Sequence, residues 1–200
     1  MDEASQYRRD IYLALAESMK DPTSEFVDDI PAIIELLTTG FDFLGYELSA
    51  DLFQEPIQNF ETLRALYHQS FTFPPESRII PVESVYRPWT LDPTATLPGA
   101  HDRGYLQGDP AHHMRVIYEL YGLTIPEGFY AMPDHLCLQL EFAAHLLDSD
   151  QDNSLTIFLQ DHLVWVDDLS AEAAKLEIPL FYRQIIAVIK LFIKSELQRN

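Results

Sequence analysis

The sequence predicts an all-α protein, on three observations. Apolar residues recur at helical spacing in one stretch after another. No segment shows the apolar–polar alternation of a half-buried strand. No self-similarity occurs at the periods of helical solenoids. The expected architecture is a single irregular bundle of roughly nine or ten helices. With 200 residues, 47% of them hydrophobic and 12% aromatic, the chain can bury one sizeable core. It reads as one domain over residues 1–200, with N-terminal helices in 1–70, a proline-rich connection in 71–110 and C-terminal helices in 111–200.

The elements follow in order. Ile11, Leu13, Leu15 and Met19 lie among good helix formers, and Asp21-Pro22 closes this first helix, because the residue before a proline is pushed out of the α region. Thr23 or Ser24 caps a short second helix; Pro31 then opens "PAIIELLTTG", with Gly40 suited to its C-terminal cap. Helical stretches follow near Ala50 to Phe53 and from Pro56 to Gln69, the latter with Phe60, Leu63, Leu66 and Tyr67 on one face. Residues 71–110 hold seven of the thirteen prolines, a connection with brief helical turns and of a length that is usually functional or mobile. "PAHHMRVIYELYG" resumes the helical pattern between Pro110 and Gly122. After the stretch Gly128 to Leu147, "DSDQDNS" is a solvated loop and Ser154 caps "LTIFLQDHLVWVDDL". A last helix runs from about Pro179 to Leu197, with Lys190, Lys194 and Arg199 toward the end where cations are favoured.

Charge and cysteine usage restrict the function. Thirteen basic against thirty-two acidic residues give −19, and protonating all seven histidines still leaves −12. Such a surface repels nucleic acid and anionic membranes and attracts cationic partners. The single Cys137 excludes an intramolecular disulfide and any multi-cysteine zinc site, and points to a reducing cytoplasm. Arg8-Arg9 resembles a twin-arginine signal only at first sight, since Asp10 and Glu17 bracket an apolar run far too short for a signal core. No stretch reaches the roughly 18 apolar residues of a membrane span; the nearest, "IIAVIKLFI", contains Lys190.

The stretch "GFYAMPDHLCLQLEFAAHLL" carries the chemistry. It is apolar over most of a helical circumference yet contains Asp134, His135 and Glu141. Pro133 fits a first helical position, which sets Asp134 and His135 beside the free N–H groups of the first turn. Asp134, Leu138, Glu141 and His145 share one face, and Leu136, Leu140, Ala143 and Leu147 another. A helix so apolar belongs at the centre of a bundle, so Glu141 is expected to be at least partly buried and paired, with an arginine or with His145. Two readings stand: a stabilised helix start, or a polar pocket at a helix N-terminus that holds a cationic peptide or performs acid–base chemistry.

"PDHLCLQLEF" resembles the signature of the TorD/DmsD/NarJ family of chaperones that assemble molybdenum-cofactor oxidoreductases. "VESVYRPW" is similar to the Glu-Ser-hydrophobic-Tyr segment of that family's connecting region, "IYELYGL" to the helix before the signature, and "FLQDHLVWVDDL" to its Phe-Leu-x-x-His-Leu-x-x-Trp segment. Order and spacing agree over about residues 80–170, and the N-terminal third agrees by helical pattern only. Members nearer DmsD and TorD carry Glu-Pro one residue ahead of the Asp-His pair, whereas Ala131-Met132-Pro133 precedes Asp134 here, which is more similar to the NarJ side. The resemblance therefore names no particular client. It implies a cytoplasmic chaperone that binds the N-terminal leader, a twin-arginine signal in many members, or the apo form of a catalytic subunit, and assists cofactor insertion and export. Carried over by position, Pro133, Asp134, His135, Glu83, Tyr86, Arg87 and Trp89 form the client-binding set, with Glu141, His162 and Trp165 as structural support. The implied partner is the basic leader of a molybdoenzyme catalytic subunit, bound by a monomer or by a dimer that exchanges helices through the long connection, with no nucleic acid and no membrane insertion.

His101, His112, His113, His135, His145 and His162 are numerous, but adjacent histidines on a helix do not easily bind one ion and no His-Glu-x-x-His spacing occurs, so no metal and no cofactor is expected. Trp89 is equally a pin for the loop and an exposed anchor, whereas Trp165 lies on an apolar face and reads as core. Cys137 has no basic neighbour in sequence to lower its pKa and reads as a small buried hydrophobe. A small acid–base enzyme using Asp134 and His135 lacks a nucleophile or phosphate-binding glycine loop, so no enzyme activity is expected. A helical adaptor for a folded partner is the remaining alternative.

Overall fold

The computed structural model describes residues 2–54, 57, 59–72, 78–149 and 152–199. They form nine α-helices: α1 Glu3–Ser18, α2 Ser24–Leu44, α3 Phe60–Phe71, α4 Glu83–Tyr86, α5 Asp109–Leu120, α6 Leu136–Asp148, α7 Asp152–His162, α8 Val166–Lys175 and α9 Leu180–Gln198. A 3₁₀ turn at Glu127–Phe129 precedes α6, and no strand occurs among the described residues. The all-α expectation is met.

Helix α6 is the axis of the bundle. From Leu136 to Leu147 every residue is buried except Glu141 and His145, which sit four apart on one line. Helices α1 and α7 pack on α6, α2 packs on α1, and α9 closes the structure against α8, α7, α3 and α1. Tyr12, Phe41 and Phe192, all fully buried, meet where α1, α2 and α9 converge, with ring centroids 4.7 Å apart for Tyr12–Phe192 and 5.6 Å for Phe41–Phe192.

Several boundaries depart from the sequence expectation. Helix α2 is one helix from Ser24 to Leu44 with Pro31 inside it, not two. Thr23 is its cap, accepting from the Phe26 N–H at 3.2 Å. Gly40 does not end the helix; the chain leaves α2 at Gly45, in the left-handed conformation (φ 70°). Gly40 instead permits close approach of α1, since a methyl group there would stand 2.9 Å from Ile11 Cδ1. Residues 50–53 are turns, α3 starts after its cap Asn59, and Pro56 lies outside the described residues. The stretch read as one helix after Ser154 is two, with Ser154 inside α7 and a break at Leu163–Trp165.

The Arg8-Arg9 pair is built into the fold. Arg8, 6% exposed, donates from Nε to both carboxylate oxygens of the equally buried Glu196 at 3.0 and 2.8 Å, and from Nη1 to Asp152 Oδ1 at 2.8 Å. Tyr46 Oη donates to Glu196 Oε1 at 2.7 Å. The network joins α1, α7, α9 and the chain after α2 through one guanidinium. Arg9 pairs with Asp148 at 2.7 Å and with Asp10 at 2.8 Å. Breaking a buried pair from one side strands a charge, so Arg8→Ala is expected to destabilise by about 3–5 kcal/mol, whereas the apolar double variant Arg8→Met/Glu196→Leu should recover much of that loss. Urea denaturation of both variants measures the difference.

Candidate functional site

Three of the four segments that carry the resemblance meet at one place, around Glu83. The chain at Pro81–Glu83 lies antiparallel against the start of α6 in a single bridge between Val82 and His135. The Leu136 N–H donates to Pro81 O at 2.8 Å and the Glu83 N–H to Asp134 O at 3.1 Å. This brings α4 onto α6, and its first residue, Glu83, is 2% exposed.

A carboxylate at that depth requires donors. Glu83 Oε2 accepts from Gln139 Nε2 at 2.6 Å and faces His162 Nδ1 at 2.8 Å. Burial pushes the Glu83 carboxyl up from its ordinary range, and the His162 contact opposes that shift. His162 Nε2 lies 2.8 Å from His113 Nδ1 on α5, so a chain of polar contacts runs from Glu83 out to the exposed His113. Trp165 Nε1 donates to His162 O at 2.8 Å and to Gln139 Oε1 at 3.1 Å, which fixes the amide so that its NH₂ faces Glu83. Tyr86 stacks on Trp165, centroids 5.2 Å apart and planes 22° apart, and its hydroxyl donates to Glu172 on α8.

Asp134 acts across this interface, not on its own helix. It precedes α6, whose cap is His135, so Pro133 is not in a first helical position and Asp134 is not in the first turn. The physical reason is the bridge to Val82, which holds His135 extended (φ −68°, ψ 139°) and delays the helix by three residues. The Asp134 carboxylate instead accepts from the N–H and hydroxyl of Ser84, the former at 2.7 Å, and so satisfies an N-terminal donor of α4 from across the chain. It is fully buried, and burial raises its pKa against the pull of Ser84. His135 Nδ1 accepts from the Cys137 N–H at 3.2 Å, which places the ring proton on Nε2. Burial depresses His135 from its ordinary 6.5 to about 4 and raises the Cys137 thiol to about 12. Cys137 is thus an inert buried thiol.

The remaining expected residues divide by exposure. Pro133, Tyr86, Glu83, His162 and Trp165 are buried; Arg87 is half-buried and Trp89 is 37% exposed. Arg87 Nη2 donates to Asp161 O at 3.3 Å, and its Nε lies 3.6 Å from Glu83 Oε1. The backbone of Trp89 is pinned: its N–H donates to Asp102 O at 3.0 Å and its carbonyl accepts from Asp109 at 2.8 Å. The carbonyl passes so close to Gly108 that a Cβ there would lie 2.6 Å away. Glu141 is not in this site. It pairs with Lys20 at 2.6 Å and is 36% exposed, so its partner is neither an arginine nor His145. The buried polar residue of α6 is Gln139, two positions earlier, and it was missed along with Ser84, His113 and Glu172. Ser84 and Gln139 both stood inside the quoted motifs; only their pairing was hidden. Among the described residues no group of three or more metal-ligating side chains comes together.

Over this network opens a cavity of about 320 Å³, lined by Glu83 and Arg87 of the α4 region, Pro88, Leu91, Asp109 and His113 among others. Asp161 and His162 close its α7 side. It offers carboxylates at rim and floor, and apolar walls.

Two stability differences follow. Gln139→Ala should cost about 1–3 kcal/mol by leaving Glu83 and Trp165 short of partners, whereas Glu141→Ala should stay within about 1 kcal/mol because its pair is half-exposed. The pH dependence follows from His135: with the folded pKa near 4 and the unfolded one near 6.5, the unfolded chain binds the extra proton, so stability is lost as pH falls from 6.5 toward 4, on the order of 3 kcal/mol in all. The raised carboxyls Glu83 and Asp134 titrate with the opposite sign. His135→Gln should therefore flatten the acid limb of a denaturation series, and an unchanged limb would assign it elsewhere.

The nitrate reductase delta subunit family matches residues 35–171, which take in all of α3 to α7 and the site apart from Glu172. Chaperone protein TorD from strains of Vibrio cholerae serotype O1 is similar over a shorter segment, 40% identical over 45 residues, or 22% of this chain and 20% of the relative. That segment spans a fifth of the length of these relatives. No solved structure gives a match. The extent of the family match, with its motifs converging on one buried carboxylate, shows that the chain belongs to the nitrate reductase delta subunit family, the family of the TorD and NarJ chaperones.

Proposed function

We propose that the chain is a cytoplasmic chaperone for the catalytic subunit of a molybdenum-cofactor oxidoreductase, which it binds through the basic N-terminal leader and keeps competent for cofactor insertion and export. The observation that carries the reading is the cavity beside α4, with Asp109 and Asp161 at its edge, Glu83 at its floor and Pro88, Leu91 and Pro110 as apolar wall. A leader combines arginines with an apolar stretch, and this lining offers a counterpart to each. The surrounding charge of −19 speeds encounter with such a peptide.

In this reading the residues divide by what they touch. Arg87 and Trp89, which reach solvent, contact the client. Pro133, Asp134, His135, Glu83 and Tyr86 act from below, holding α4 and the following loop in place. Asp134 and His135 point into the interior, out of reach of a small substrate, which disfavours their use as an acid–base couple. No described helix is long and apolar enough to cross a membrane, in keeping with a client met before export.

Titration calorimetry against synthetic leaders of molybdoenzyme catalytic subunits, at low and moderate salt, tests the proposal. Saturable binding is expected that weakens with salt, with Arg-Arg→Ala-Ala in the leader, and by about tenfold with Trp89→Ala in the chaperone. Binding that ignores all three changes would point to a folded partner instead.

A further inference from the structure

Helix α6 is buried from Leu136 to Leu147 except at Glu141 and His145, and both of these open onto one cavity. It encloses about 190 Å³ between α6 and the chain that follows α5, and is walled by Tyr118, Leu123, Ile125, Leu138 and Phe142 among others. It shares no residue with the cavity beside α4. The walls are preformed. Gly122 takes the left-handed conformation (φ 67°) just past the end of α5, and the Leu123 N–H donates to Tyr118 O at 2.8 Å. Tyr118 and Tyr121 form T-shaped pairs with Phe142, centroids 5.7 and 5.0 Å apart, and the His145 ring stacks on Phe142.

Size and charge identify the occupant. An apolar cavity of about 150 Å³ holds one benzene molecule and drug-sized ligands need about 300–1,000 Å³, so this cavity suits a single ring or a short branched alkyl group. At its polar end Lys20 is shared, 2.6 Å from Glu141 and 2.8 Å from Glu17, so the two carboxylates keep one net negative charge. The Glu141 carboxylate can only accept hydrogen bonds, and an unprotonated His145 ring adds an acceptor nitrogen. The occupant must therefore donate at that end, and a cation donates most strongly.

We propose that this cavity binds a small organic primary amine, its apolar body between α6 and residues 123–126 and its ammonium on Glu141 and His145. The site goes beyond leader recognition, because it takes a free small molecule and uses none of the residues that line the cavity beside α4. A bound amine touches both helices and braces the end of α5 against α6.

The test follows the amide NMR spectrum of the full chain during titration with benzylamine, which has a ring of the fitting size and is protonated at neutral pH, and with its neutral isostere benzyl alcohol. Benzylamine should saturate, move the resonances of residues 118–126 and 138–145, and bind at least about tenfold tighter than the alcohol. Glu141→Gln removes the charge and keeps the shape. It should weaken benzylamine about tenfold and change the alcohol by no more than about twofold. Ile125→Trp, which fills the cavity from the loop, should abolish binding of both, and circular dichroism verifies that each variant folds. A leader peptide should leave bound benzylamine in place, so leader binding and amine binding are read separately. No saturation, equal affinity for amine and alcohol, resonance shifts centred on Glu83, an unchanged affinity in Glu141→Gln, or displacement of benzylamine by the leader would each overturn the proposal.

Discussion

A carboxylate buried between helices constrains everything around it. Glu83 sits at the first position of a four-residue helix, too short to stand alone, and its burial is tolerable only because α6 and α7 present Gln139 and His162 to it. Those partners need fixing in turn, and the Trp165 indole does so by bonding both the Gln139 amide and the His162 carbonyl. Trp165 makes these bonds from the turn that breaks α7 from α8. The family's motifs are the pieces of one hydrogen-bonded assembly, spread along the chain by the intervening helices.

A second buried ionic system performs a comparable service elsewhere. Arg8 and Glu196, near opposite ends of the described chain, clamp α1 to α9, and Tyr46 ties the chain after α2 to the same carboxylate. The cavity beside α4 likewise rests on a charge that is itself inaccessible, that of Glu83. In the proposed chaperone role, the surface offered to a client is acidic and apolar, while the polar groups that set its shape are protected from competition by the client's own charges.

What the sequence determined by itself was the fold class and, from α5 onward, which stretches are helical, though not the break that divides α7 from α8. Helical periodicity is a local signal, and an apolar circumference such as that of Leu136 to Leu147 identifies the central helix without knowledge of its neighbours. The acidic balance also follows from composition alone. Local cues misled where tertiary contacts outweighed them. Pro31 marked a helix start and Gly40 a helix end, yet packing of α2 along α1 carries the helix through both, with Gly40 serving as the point of closest approach.

Only the tertiary structure decided the roles of the charged groups. Periodicity put Asp134 on a helix face with Glu141, but the bridge between Val82 and His135 takes Asp134 off the helix and turns it to Ser84, fifty residues away. Glu141 is partly buried, as expected, but pairs with Lys20, while Glu83 in the proline-rich connection is almost fully buried. No local pattern carries that assignment. Whether a carboxylate is buried depends on which distant donors arrive around it, and spacing along one chain segment records the face a residue occupies but not what lies opposite.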